Sequence, residues 1–265
     1  MSKLLAFPMY AVDRADTRAL WLAVKGLLAA RGVSVDRDPG WPESDLLSHW
    51  QQPALILSQT CGYPLMTRLP AAQTVGCFHY SAPGCEGRNY RSLLVVREAD
   101  SRQTLADFRG RRVACNSPDS QSGYNVLLKM VAPLSRDGRF FSAVAFSGSH
   151  RQSLRELQQG TADIAAIDCV SWALLQRHQP EALAGLAVIA HSPLAPGLPL
   201  ITSATTSAAT LGLLREALQQ LVSDERYRPL CEALFICGYS DMRRADYQPL
   251  LAWRDEAAAR GVVRL

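Results

Sequence analysis

The chain has 265 residues, with 28 Lys and Arg against 24 Asp and Glu, a formal net charge of +4. Hydrophobic residues make up 48% and charged residues 20%, enough apolar material for a sizeable core, which excludes a disordered or fibrous chain. The small positive charge is spread along the chain without a Lys/Arg block, which argues against a nucleic-acid binder, and no stretch approaches the ~18 apolar residues of a membrane span.

In chain order, residues 4–7 read as a first strand. Leu20, Val24, Leu27 and Leu28 then recur at helical spacing after Asp16, and Gly32 can end that helix. Residues 54–57 are a short apolar strand followed by Ser58-Gln59-Thr60. A helix over 61–69 follows, with Thr60 as its predicted N-cap and Pro64 in its first turn. Strands are predicted over 75–78 and 93–96, separated by the loop Pro83-Gly84-Cys85-Glu86-Gly87. Residues 104–108 form a helical turn and 112–115 a strand, followed by a polar loop that contains Asp119-Ser120-Gln121-Ser122-Gly123. A helix over 124–131, a strand over 141–146 and a capping box Ser149-x-x-Gln152 opening the next helix continue the alternation. Strands over 162–167, 186–190 and 200–202 and a helix face of Leu211, Leu214, Leu218 and Leu221 complete it. This order predicts an α/β fold with largely parallel sheets, and the length allows one or two domains at roughly 150 residues each.

The start of the chain bears on compartment. Met1-Ser2-Lys3 is followed by four apolar residues, then Pro8, Asp13, Arg14 and Asp16. That pattern is a strand leading into a helix, not the apolar run of about 7–15 residues in an export signal. The sequence as it stands is expected to be cytoplasmic, and periplasmic if a leader precedes it. Seven cysteines without a C-x-x-C pair do not make a zinc site or a complete disulfide framework, so reduced thiols are expected.

In open α/β sheets, ligands bind beyond the C-terminal strand ends. Four loops there are rich in short polar side chains: Ser58-Gln59-Thr60, Asp119-Ser120-Gln121-Ser122, Ser147-Gly148-Ser149-His150, and Asp168 with Ser171. Hydroxyls and helix N–H groups together make a neutral cradle for an oxyanion, although each loop alone also reads as helix capping. His150 is a candidate donor whose charge varies near neutral pH, or a packed side chain. Asp168 is an N-cap, or an acceptor that favours a protonated oxyanion. Tyr10, Tyr63, Tyr80, Tyr90 and Trp172 lie near the same loops, as core rings or as rings covering a ligand. A hydrolase triad of Ser149, His150 and Asp168 lacks a G-x-S-x-G elbow. Cys77, His79 and Cys85 lack a defined fourth metal ligand. There is no P-loop or dinucleotide fingerprint. No cofactor is therefore expected.

These segments carry a resemblance. The run Leu57 to Pro64, the run Tyr90 to Arg97, the serine-rich loop Asp119 to Tyr124, the loop Ser147 to His150, and Gly160 to Asp163 with Ala166-Ile167-Asp168 resemble the phosphate/phosphite/phosphonate-binding proteins of ABC transporters. The resemblance implies a two-lobed type II periplasmic-binding-protein fold, each lobe a mostly parallel sheet flanked by helices, with hinge closure and no chemistry. Lobe one would comprise 1–94 and 201–265, and lobe two 95–200. The ligand contacts implied are Tyr10, Thr60, Tyr63, Tyr90, Ser120, Gln121, Ser122, His150 and Asp168, around a phosphonate- or phosphate-like anion. Gln121 stands where the family commonly has Thr. An acidic residue expected near Ala195-Pro196-Gly197-Leu198-Pro199 is missing, which removes a partner for a ligand ammonium. The implied partner is an ABC permease. The alternatives are a cytoplasmic sensor that reports to a signalling partner and, behind it, a small hydrolase or lyase.

Overall fold

A computed structural model describes residues 3–35 and 45–265. The strands in chain order are β1 (Leu4–Ala6), β2 (Leu55–Gln59), β3 (Gln73–Tyr80), β4 (Asn89–Tyr90), β5 (Ser92–Arg97), β6 (Arg112–Cys115), β7 (Ala143–Phe146), β8 (Ile164–Asp168), β9 (Leu186–His191), β10 (Ala195–Pro196), β11 (Pro199–Thr202) and β12 (Ile236–Ser240). Two compact units result. One is Met1–Asn89 with Pro196–Tyr247, and the other is Tyr90–Ala195 with Gln248–Leu265.

The first unit is built on a five-stranded sheet of order β1-β2-β11-β3-β12. β2 is buried along its whole length, the apolar Leu55, Ile56 and Leu57 together with the polar Ser58 and Gln59. The helix Arg14–Ala29 packs its stripe of Leu20, Trp21, Val24, Leu27 and Leu28 inward. Its start is fixed by Asp13, which accepts from the Asp16 amide at 2.9 Å, and Trp21 Nε1 donates to the Leu5 carbonyl at 2.7 Å. The helix Ala208–Ser223 buries Leu214, Ala217, Leu218 and Leu221.

The second unit has a five-stranded sheet of order β7-β6-β8-β5-β9. In both sheets the strand next to a chain crossing, β11 or β5, runs antiparallel to both neighbours. The sheets are therefore mixed, where strand–helix alternation alone suggested largely parallel ones. β6, β7 and β8 run parallel, so their C-terminal ends share one edge. The helix Gln248–Ala259 belongs to this unit, whereas the sequence grouped all of 201–265 with the first lobe. Its placement follows from a small core of Leu128, Ala132, Ala257 and Val262, with Tyr124 and Leu265 packed on it. Such a late return leaves no periodic signal, because the helix looks the same wherever it docks.

No helix among the described residues is long and apolar enough to cross a membrane.

Candidate functional site

The parallel pairing of β6 and β7 brings two polar loops together. Cys115 and Phe146 are in register at the strand ends, and Ser147 N and Gly148 N donate to the Cys115 and Asn116 carbonyls at 2.8 and 2.9 Å. Gly148 has φ 90°, in the left-handed region that glycine adopts without strain. The loop after β6 thus lies against the loop after β7.

The first loop turns into a helix through one wide turn. Gln121–Asn125 is a π-helical segment, closed by Asn125 N donating to the Ser120 carbonyl at 2.9 Å, and Val126–Val131 continues it as an α-helix. Wide turns of this kind occur often at functional sites. Ser120 caps the segment, its Oγ accepting from Gly123 N at 2.9 Å. Gly123 packs closely: a Cβ there would lie 2.0 Å from Asn116 Oδ1. Asn125 fixes the Gln121 side chain by donating from Nδ2 to Gln121 Oε1 at 2.7 Å and to the Leu250 carbonyl at 3.0 Å. Asn116, Gly123 and Asn125 were not singled out from the sequence. The i, i+4 spacing of Gln121 and Asn125 was the available signal for one of them.

The second loop opens the helix His150–Gln158, capped by Ser149 Oγ accepting from Gln152 N at 3.1 Å. His150 Nε2 lies 2.9 Å from Ser122 Oγ. Its Nδ1 is buried, with no hydrogen bond of regular geometry among the described residues. Burial pushes the imidazole pKa down to about 4, and the Ala166 carbonyl opposes this more weakly. His150 is therefore neutral near pH 7. This corrects the expectation of a donor whose charge varies there: the ring sits at the positive end of its own helix with no ionised partner acting on it.

The remaining predicted residues separate. Asp168 is buried, and Oδ1 accepts from Val170 N at 2.7 Å and Ser171 N at 3.1 Å, so this oxygen caps the helix Cys169–His178. Tyr90 is buried in the second unit. Tyr10, Thr60 and Tyr63 belong to the first unit. Tyr10 is buried edge-on against Tyr80 at 5.1 Å, and Tyr80 Oη accepts from Gln59 Nε2 at 3.0 Å. Thr60 is buried, and its Oγ1 lacks a partner among the described residues. It does not cap the helix Gly62–Thr67. Cys61 occupies that position and makes no capping bond with its side chain. The Tyr63 carbonyl accepts from Thr67 Oγ1.

The arrangement is suited to holding an anion by neutral groups. Neither loop carries Lys or Arg between Asn116 and Tyr124 or between Ser147 and His150. A serine 2.9 Å from a neutral imidazole is also the geometry of a nucleophile and its base. The proposed triad of Ser149, His150 and Asp168 is not assembled: Ser149 and Asp168 cap helices, and His150 pairs with Ser122. The metal candidates are likewise engaged elsewhere, with Cys77 buried and His79 Nε2 2.8 Å from Ser240 Oγ.

Residues 80–247 match the family model described as ABC transporter, phosphonate, periplasmic substrate-binding protein. A binding-protein component of an ABC phosphonate transporter from Pseudomonas aeruginosa is similar in structure, with a TM-score of 0.79 and 17% identity, covering 98% of this chain and 88% of that one. The PhnD1 protein from Prochlorococcus marinus, in complex with methylphosphonate, aligns with a TM-score of 0.77 and 13% identity over 97% and 98% of the two chains. A Xanthomonas citri protein bound to ATP aligns with a TM-score of 0.73 and 15% identity over 98% and 99%. No curated protein sequence matches significantly.

Proposed function

We propose, for a chain that belongs to the periplasmic phosphonate substrate-binding family of ABC transporters, that it binds a phosphonate- or phosphate-like oxyanion for uptake through a permease. The observation that carries this reading is the pairing of the Ser120–Ser122 loop with His150 at the shared ends of β6 and β7. Ser120 and Ser122 present hydroxyls, Gln121 an amide whose carbonyl end is held by Asn125, and His150 a ring nitrogen. Hydrogen bonds from neutral groups to a charged oxygen contribute about 1.5–3 kcal/mol each. Tyr90 is a further proposed contact from the second unit. Tyr10, Thr60 and Tyr63 of the first unit rest on the family resemblance alone, and Tyr63→Phe is the simplest probe of that group. Asp168 contributes by capping, and any contact with ligand falls to its second oxygen.

A thermal-shift screen of phosphate, phosphite, sulfate and methylphosphonate tests the reading. A ligand at 100-fold its Kd adds about 2.7 kcal/mol of stability. A shift with methylphosphonate or phosphate supports the proposal, and no shift with any of the four oxyanions overturns it.

One observation favours a second reading, a sensor in a reducing compartment. Cys77, Cys115, Cys231 and Cys237 are free thiols, the first three of them buried, while the periplasm is oxidising. The family implies a periplasmic location. Cell fractionation separates the two: recovery with periplasmic markers supports uptake, and recovery with cytoplasmic markers supports sensing.

A further inference from the structure

Which end of the Gln121 amide faces a ligand is set from the far end of the chain. The side-chain nitrogen of Asn125 lies 3.0 Å from the Leu250 carbonyl and 2.7 Å from Gln121 Oε1. A backbone carbonyl can only accept a hydrogen bond, so the Asn125 atom facing it is Nδ2. Turned over, the amide would set Oδ1 against another oxygen. Nδ2 has two N–H groups, and the second needs an acceptor, so the Gln121 atom facing it is Oε1. With Oε1 held by Asn125, the opposite end of Gln121 is Nε2, which donates two hydrogen bonds and accepts none.

Asparagine at position 125 is costly unless its Nδ2 has such a use. The residue is fully buried, and its own Oδ1 has no hydrogen-bond partner among the described residues. A leucine, branched in the same way, would fill the place without that orphaned acceptor. The helix Gln248–Ala259, which supplies the Leu250 carbonyl, lies past residue 247, where the match to the family model ends. The same C-terminal segment is tied to residues 121–131 at two further points, by the Lys129–Glu256 ion pair and by the Leu265 amide, which donates to Tyr124 Oη at 3.3 Å.

We infer that Asn125 is a positioning residue of the oxyanion site, through which the C-terminal helix fixes Gln121 so that it meets the ligand with N–H donors only. The ligand then has to place an oxygen that accepts at this position, not the hydrogen of a P–OH group. A hydroxyl in place of the amide would rotate to suit either, so the clamp makes this contact one-way. The inference rests on the reading that the Ser120–Ser122 loop holds the oxyanion.

Titration calorimetry of methylphosphonate into the full chain and its variants tests it, with urea denaturation recording stability. Asn125→Ala is expected to lose about tenfold in affinity in the wild-type background and less than about threefold in a Gln121→Ala background, because Asn125 acts through Gln121. Asn125→Asp puts an oxygen where Nδ2 stood, so Gln121 turns over and shows Oε1 to the ligand. Deleting Gln121 is then expected to raise affinity in the Asn125→Asp chain, whereas it lowers affinity in the wild type. A merely structural Asn125 would cost stability and lower affinity equally in both backgrounds. That result overturns the inference, as does unchanged affinity in Asn125→Ala, and both leave the oxyanion reading in place. No binding of methylphosphonate by the wild-type chain overturns the two together. If Asn125→Ala does not fold, Asn125→Leu, which keeps the branching and lacks the donor, takes its place in the same comparison.

Discussion

At the edge of the second unit's sheet where β6 and β8 begin and β5 ends, polar groups are charged and mutually satisfied. Asp163 Oδ1 accepts from Arg97 Nη2 at 2.9 Å and Arg112 Nη2 at 2.8 Å, and Oδ2 accepts from Arg112 Nε and the Arg112 amide, both at 3.0 Å. Arg97 Nη1 also donates to the Leu157 and Ala162 carbonyls. At the opposite edge, where β6, β7 and β8 end, the groups are hydroxyls, an amide and a neutral imidazole. Strands β6 and β8 reach both edges. Full ionic pairing at one edge locks the strands together, while neutral groups at the other can exchange partners with a ligand at little cost. Stability and binding are thereby assigned to opposite ends of one sheet.

The largest expected effect is on the locked edge. Asp163→Ala leaves two guanidinium groups without their acceptor and is expected to cost about 2–4 kcal/mol, because a nearly buried carboxylate that accepts four hydrogen bonds is lost while the arginines keep partial access to water. Urea denaturation checks this. Calorimetry on the folded fraction is expected to show methylphosphonate affinity unchanged, and a parallel loss of affinity would break the division between the edges.

A smaller effect is expected where the two functions meet. Gly123→Ala places a Cβ against Asn116 Oδ1, and the Asn116 side chain or the loop has to give way, at about 1–3 kcal/mol. Because Gly123 N is bonded to Ser120 Oγ, the same substitution is expected to weaken oxyanion binding. Affinity that survives alongside lost stability would show that the loop geometry is not what holds the ligand.

The smallest effect is a pH dependence. His150 has its pKa lowered from 6.5 to about 4 in the folded chain. The unfolded chain therefore binds a proton first as pH falls, so stability declines from about pH 6.5 down to about 4 and levels off below. Allowing for its partial exposure, the loss is about 1–2 kcal/mol. His49 and His79 are shifted the same way, so the check is the difference between wild type and His150→Asn in denaturation at pH 7 and pH 4.5. Equal slopes would mean that His150 takes up its proton alike in the folded and unfolded chains and that burial does not lower its pKa.

Much of this was readable from the sequence, for identifiable reasons. The strand β8 announces itself as an unbroken apolar run, and Ser149 and Asp168 as residues that favour helix starts. The serine-rich loop and His150 were legible as separate candidates because both follow strands. What stayed hidden was pairing. Ser122 meets His150 because β6 lies beside β7 in register, and the direction of β5 and the docking of the helix Gln248–Ala259 are likewise set by long-range contacts. The charge state of His150 was misread for the same reason. Its neutrality comes from burial against β8, which no local spacing encodes.

The central claim is that the Ser120–Ser122 loop binds the oxyanion. Titration calorimetry of methylphosphonate into the wild-type chain and into a Ser120→Ala/Ser122→Ala double variant, with circular dichroism to confirm folding, tests it most directly. Saturable one-to-one binding by the wild type and at least about a hundredfold loss in the folded double variant is the predicted result, from two lost hydrogen bonds to a charged group. Equal affinity in the two proteins would contradict it.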